Sequence, residues 1–201
     1  MKKKSIGRAL ALNEVLTLEN EILHELFFQE IVWSKNEENS KKSGLYLKTM
    51  ELSPPKRIAL KLLKKWNIMR FFNKAHFARK IANDNAKIYA SGSGLGAIII
   101  PDTDESFLIA GRVMERLWLK ATQMGLSFHI IAGTLFFWQK AHAGEAKNFS
   151  EEHIEMLNNA YRDISSIFDI SKGLIALTFR VGYGSEPSAR SSKKEPMIEW
   201  T

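Results

Sequence analysis

The chain has 201 residues, 45% of them hydrophobic and 25% charged, which suits one ordinary globular core and excludes disorder along the whole length. It contains no cysteine, so a disulfide framework, a thiolate-held metal and a cysteine nucleophile are all excluded. Its formal charge of +7 is local: between Lys56 and Lys87 there are ten basic residues against one acid, Asp84, and the rest of the chain sums to −2.

Met1-Lys2-Lys3-Lys4 resembles the basic front of a secretory signal, but Gly7 to Leu18 is broken by Arg8, Asn13 and Glu14 and lacks a cleavage pattern. Residues 1–15 are expected to be flexible or partner-dependent. A first helix is expected from about Leu18 to Trp33, because Leu18, Ile22, Leu23, Leu26, Phe27 and Ile31 form one apolar stripe, with Thr17 as its cap. Ser34 followed by Glu37 has the form of a capping box, and the polar run to Ser43 ends at Gly44. Ser53-Pro54-Pro55 opens a basic amphipathic helix to about Trp66, and another helix covers Asn73 to Asn83. This basic segment reads as a solvated helix face and carries no recognised nucleic-acid-binding motif, so a nucleic-acid partner is not expected.

Ser91-Gly92-Ser93-Gly94-Leu95-Gly96 leads into Ala97-Ile98-Ile99-Ile100, a buried strand closed by Pro101. Asp102 is the expected cap of a long helix to Met124, whose stripe is Val113, Met114, Leu117, Trp118 and Ala121 and whose stop is Gly125. Ser127–Ile131 is the next strand. The apolar run Phe128 to Trp138 is too short to span a bilayer, so no membrane association is expected and the cytoplasm is the default location. Ser150 opens a helix to about Phe168, Leu174–Val181 is a third strand, and a Gly-, Ser- and Pro-rich tail follows. Helices first and a mixed pattern later make the chain a single α+β domain over 1–201, with 185–201 expected to be flexible or partner-dependent.

The side chains offer little chemistry of their own. A dinucleotide loop would follow a strand and open a helix, whereas a strand follows Gly92, Gly94 and Gly96, and there is no P-loop Lys-Ser or Lys-Thr. The histidines at 24, 76, 129, 142 and 153 have no metal-ligand spacing, so no metal site is expected. No Gly-x-Ser-x-Gly is present. The tail, with Gly182-Tyr183-Gly184, Pro187, Arg190, Lys193 and Lys194, could act as a cationic clamp on a phosphate or be simply a basic tail.

The stretch Gly111-Arg112-Val113-Met114-Glu115-Arg116-Leu117-Trp118-Leu119-Lys120-Ala121-Thr122-Gln123-Met124-Gly125-Leu126 resembles the long helix of the nitroreductase family. Phe179-Arg180-Val181-Gly182-Tyr183-Gly184 with Pro187 and the basic cluster is similar to that family's ending. Leu23-His24-Glu25-Leu26-Phe27-Phe28, Ile31-Val32-Trp33-Ser34, Glu37 and Gly44-Leu45 resemble the large Acg-like or ThiF-associated nitroreductase proteins, and the resemblance runs from about Leu16 to Trp200.

The resemblance implies a mixed sheet flanked by helices, and a homodimer or pairing with another nitroreductase-like half, with FMN at the interface. It also implies hydride transfer from NAD(P)H through the flavin to a nitro compound, quinone or similar small acceptor. It places backbone groups of Ala132 and Gly133 near the flavin ring, and Arg190, Lys193 and Lys194 at its phosphate; a ring can approach backbone closely only where no side chain intervenes. The family's N-terminal Arg-Ser-x-Arg motif and Pro-Ser-x-x-Asn segment have no counterpart. Three readings of an incomplete copy of the fold stay open: a truncated product, a subunit completed by another chain, or a non-catalytic module for dimerisation or flavin sequestration.

Overall fold

The computed structural model describes residues 2–194, 196 and 197, with side chains from Ser5 onward. The chain opens on three helices, α1 (Lys2–Leu10), α2 (Leu12–Glu19) and α3 (Glu21–Glu30). Of residues 1–15, expected to be flexible or partner-dependent, 2–10 and 12–15 are helical, and Ile6, Leu10, Leu12 and Val15 lie in the core. The apolar stripe after Leu18 continues across a helix boundary: Asn20 is extended, and its Oδ1 accepts from the Leu23 N–H at 3.0 Å, so it caps α3 in place of Thr17.

Strand β1 (Ile31–Val32) pairs in parallel with β2 (Leu45–Tyr46), and α4 (Lys35–Lys41) lies between them in sequence. The Ser34 half of the box is present, its Oγ accepting from Glu37 N–H at 3.1 Å, while Glu37 Oε2 reaches one residue further back than a capping box, to the Trp33 N–H at 2.9 Å. A 3-10 turn (Leu47–Met50) leads to α5 (Pro54–Leu63), α6 (Trp66–Asn73) and α7 (Phe77–Tyr89). The basic stretch is thus three helices, broken at Lys65, which takes extended backbone, and at His76.

The larger sheet is β3 (Gly94–Ile100), β4 (Ser127–Ile131) and β5 (Leu174–Gly182), with α8 (Asp104–Gln123), α9 (Gly133–His142) and α10 (Glu151–Ile167) in the connections. Its order is β3-β5-β4, antiparallel throughout. A bulge at Ile98/Ile99 shifts the register, so Ile98 opposes Leu177 and Ile99 opposes Ile175. Thr103 caps α8 instead of Asp102, accepting from Ser106 N–H at 3.3 Å. Ser150 caps α10 as expected.

Side-chain alternation separates the two faces of this sheet. On one, Phe128 stacks on Phe179 at 4.8 Å and on Trp118 of α8 at 5.9 Å. On the other, His129 and Arg180 turn toward the end of α7. The main core joins the sheet to α1, α2, α7, α9 and α10, with Leu10, Leu16, Leu135, Leu157, Ile164 and Ile175 almost wholly buried. Each such side chain contributes about 1.5–3 kcal/mol through its removal from water. A second cluster of Leu18, Phe28, Ile31, Leu47, Leu63, Met69 and Ala78 holds the helices around β1 and β2. His24 sits at its edge with no exposed surface, its Nε2–H donating to Leu63 O at 2.8 Å, so this histidine ties α3 to α5. Burial holds His24 below the usual imidazole range.

The architecture is mixed α+β. Among the described residues no helix is long and apolar enough to cross a membrane.

Candidate functional site

Ala132 follows β4 and is the N-cap residue of α9, where its methyl group can bond no backbone N–H. The helix start is locked from the other side. Buried Thr134 donates through Oγ1 to Leu10 O at 3.0 Å and accepts from the Asn13 N–H at 3.0 Å, so the α1–α2 junction seals this turn. The space that glycine leaves at 133 is filled by Asn13: a Cβ there would lie 2.7 Å from Asn13 Cγ.

The tail is held elsewhere. Ser188 donates its N–H and hydroxyl to the two carboxylate oxygens of Glu51, at 2.7 and 2.9 Å. The Ser192 N–H donates to Oε1 of Glu38, a carboxylate on α4 that is only 1% exposed and whose Oε2 has no hydrogen-bond partner among the described residues. Arg190, Lys193 and Lys194 are exposed and make no ion pair among the described residues. The five residues expected at a flavin therefore occupy two separate places, one sealed by Asn13 and the other anchored to Glu38 and Glu51. Within one chain the turn and the tail are held by different partners.

What the fold does assemble is a polar row beneath the sheet, from residues far apart in sequence. Glu14 of α2 accepts from Tyr89 Oη at 2.8 Å through one carboxylate oxygen and from Asn85 Nδ2 at 2.7 Å through the other, both donors on α7. Burial raises the Glu14 carboxyl to about 7, against the pull of those two hydrogen bonds. Burial, then the neighbouring Glu14 charge, pushes the Tyr89 phenol above its ordinary value. The Tyr89 ring lies 6.1 Å from His129, which pairs across the strands with Arg180. Arg180 Nε donates to His129 Nδ1 at 3.1 Å, so Nδ1 is unprotonated; partial loss of water, then the guanidinium charge, holds His129 below the usual range. Arg180 Nη1 donates to Ile88 O and to Ser91 Oγ, the latter at 3.3 Å.

Beside this row is a cleft of about 180 Å³ between the start of β3, the start of β4 and the end of β5, lined by Ser91, Ser93, Ser127, His129, Arg180 and Gly184 among others. The glycine cluster at its rim belongs to sheet packing: Gly96 lies under the Phe179 ring, where a Cβ would run into Cζ and stand 2.9 Å from both Cε carbons. No sequence motif marks this site, because its groups come from α2, α7, β4 and β5. The alternation that places His129 and Arg180 on one strand face is its only local trace.

A second charged cluster is structural. Arg79 of α7 bridges Glu19 at 3.2 Å and Glu152 at 2.8 Å, and His153 Nε2 stands 3.5 Å from Glu19, tying α2, α7 and α10 together. Burial pushes the Glu19 carboxyl up, but the hydrogen bonds from His153 and Arg79 outweigh it and leave it below its ordinary value. Among the described residues no three His, Asp or Glu side chains group as metal ligands.

No family model matches the chain, and neither a curated protein nor a solved structure matches it.

Proposed function

We propose that the chain is a subunit of a nitroreductase-type flavoprotein, an FMN-dependent oxidoreductase that takes hydride from NAD(P)H and reduces a nitro compound, quinone or similar small acceptor. The resemblance of the α8 stretch and of the tail after β5 motivates this reading. The observation that carries it furthest is the outer surface of α8. This helix crosses one face of an antiparallel sheet yet leaves Leu108 74%, Ile109 48%, Trp118 48% and Leu119 64% exposed. A run of large apolar side chains on one 20-residue helix is the kind of surface a second copy of the chain covers. Arg190, Lys193 and Lys194, which make no ion pair among the described residues, are available to a phosphate. Because Ala132 and Gly133 lie apart from them, the reading requires the second copy to bring tail and turn together.

FMN, when bound, supplies the hydride chemistry; the contribution of this chain's residues is to hold its phosphate and exclude water. The test is the visible spectrum of the purified chain during FMN titration, with sedimentation to read the oligomer. A perturbed flavin spectrum at micromolar FMN, weakened about tenfold or more when Arg190, Lys193 and Lys194 are all changed to alanine, supports the reading. A monomer without affinity for FMN refutes it.

A specific observation favours one other reading. Asn13 already fills the space at Gly133, and Ala132 offers no polar side chain, which suits a non-catalytic dimerisation or sequestration module. A stable flavin-free dimer supports that alternative, and NAD(P)H-dependent quinone reduction eliminates it.

A further inference from the structure

Arg180 is fixed in place but not neutralised. Its Nε and Nη1 are used on His129, Ile88 O and Ser91, all uncharged acceptors, while Nη2 makes no hydrogen bond and no carboxylate lies within ion-pair distance among the described residues. A half-buried guanidinium held this way loses part of its hydration without gaining a counter-charge, which leaves a standing attraction for an anion. Arg180 also lines a cleft whose rim carries two hydroxyls, Ser93 and Ser127, neither of which is hydrogen-bonded to a described residue.

The glycines of the rim keep those hydroxyls clear. A Cβ at Gly184 would stand 2.7 Å from Ser127 Oγ, and one at Gly182 3.0 Å from Ser93 Oγ. Any other residue at either position would press on the donor that faces the cleft. Volume limits the occupant: about 180 Å³ is below the roughly 300–1,000 Å³ of pockets that enclose drug-sized molecules, and so excludes a whole flavin or dinucleotide.

We propose that this cleft binds the phosphate group of a small phosphomonoester, with Arg180 Nη2 and the hydroxyls of Ser93 and Ser127 as donors. A tetrahedral phosphate offers an oxygen to each of these three groups, which come from the ends of three strands, and its charge answers that of Arg180. A planar carboxylate has only two oxygens to share among three donors and matches their spread less well than a tetrahedral phosphate. The site is independent of the flavin reading: it lies at the Ser127 end of β4, whereas Ala132 and Gly133 follow its other end, about 15 Å away at roughly 3.4 Å per residue.

The test uses the full chain, with inorganic phosphate and phenyl phosphate as probes and acetate at matched ionic strength as the control, read by NMR at the Arg180 Nε–Hε and the His129 ring. The expected result is saturable binding of both phosphates, with acetate at least about tenfold weaker. Phosphate also raises the His129 pKa, because the anion offsets the guanidinium that depresses it. The other groups facing that ring are Tyr89 of α7 and the Ser127 end of its own strand; Glu14, which accepts from Tyr89, titrates at about 7 and ionises in the same range with and without phosphate, so the His129 shift is read as the difference between the two titrations. Arg180→Lys, which keeps the charge but loses the fork, and the exposed pair Ser93→Ala/Ser127→Ala each weaken phosphate about tenfold. Arg190→Ala/Lys193→Ala/Lys194→Ala leaves binding unchanged and so separates this site from the tail.

Four results overturn the proposal: no saturation by about 10 mM phosphate, equal affinity for acetate, undiminished binding in the serine pair, or loss of binding in the tail variant alone. Should Arg180→Lys fail to fold, the serine pair on the exposed rim decides.

Discussion

Replacing Glu14 by glutamine removes a carboxyl whose ionisation the fold resists, and the consequence is a defined change in how stability depends on pH. The carboxyl titrates at about 7 in the folded chain against 4.5 for the ordinary group, because burial outweighs the bonds from Tyr89 and Asn85. Between those two values the folded state binds more protons than the unfolded one, so stability falls as pH rises. At about 1.4 kcal/mol per pKa unit the full loss is about 3 kcal/mol, complete above pH 7 and absent below about 4.5. Glutamine keeps an acceptor for the Tyr89 hydroxyl and carries no charge at any pH.

The assay is urea unfolding of both proteins at about pH 5 and pH 8, reading the difference between them. That difference moves by about 2.5 kcal/mol in favour of Glu14→Gln at the higher pH, because about 0.8 kcal/mol of the loss has already occurred at pH 5. His24 and His129, both held below their usual range, act with the opposite sign, since their contribution is lost as pH falls through 6.5. They are present in both proteins and cancel in the difference. Glu19, whose carboxyl is depressed, contributes stability that is present above 4.5 and lost as pH falls below it, outside the range compared. Parallel pH profiles for the two proteins, or a Glu14 resonance titrating near 4.5, would refute the argument.

Gly96→Ala drives a methyl into the Phe179 ring and costs about 1–3 kcal/mol in unfolding free energy, part of it recovered in Gly96→Ala/Phe179→Leu; a neutral single variant would show that the ring does not lie over β3. Gly133→Ala meets the Asn13 side chain and destabilises by about 1–3 kcal/mol, and adding Asn13→Ala restores at least about 1 kcal/mol, whereas strict additivity would mean that Asn13 does not fill that space.

Elements with their own local punctuation were legible in the sequence. Ser34 and Ser150 announce α4 and α10, and Ser127–Ile131 is a strand at its expected bounds. Where the signal is continuous, a boundary is invisible: the stripe from Leu18 to Ile31 runs through the extended residue Asn20, and α5 runs on in pattern past Lys65. Helix α9 escaped because Leu135, Phe136, Phe137 and Trp138 are apolar in succession, which matches neither a 3.6 nor a 2.0 period. Helix α1 was masked by its three lysines and Gly7, and only the tertiary fold shows Ile6, Ala9 and Leu10 to be core. The polar row was beyond local reasoning for the same cause. Glu14, Tyr89, His129 and Arg180 are separated by 40 residues or more at each step, and only the sheet register and the packing of α2 against α7 bring them into one line.

Strand β5 is the middle of its sheet and also the last of the three to be synthesised. β3 and β4 do not pair with each other, so a nascent chain that ends between Ile131 and Leu174 carries two lone strands. One of them holds the sequence Ala97-Ile98-Ile99-Ile100 with its backbone groups open. At about 5–20 residues per second, the 82 residues that separate the completion of β3 at Ile100 from that of its partner at Gly182 take several seconds. Through that interval the ribosome-bound chain presents an aggregation-prone edge. Interruption of translation anywhere before Gly182 leaves the sheet incomplete, together with the part of the core that rests on Leu174, Ile175, Ala176 and Leu177.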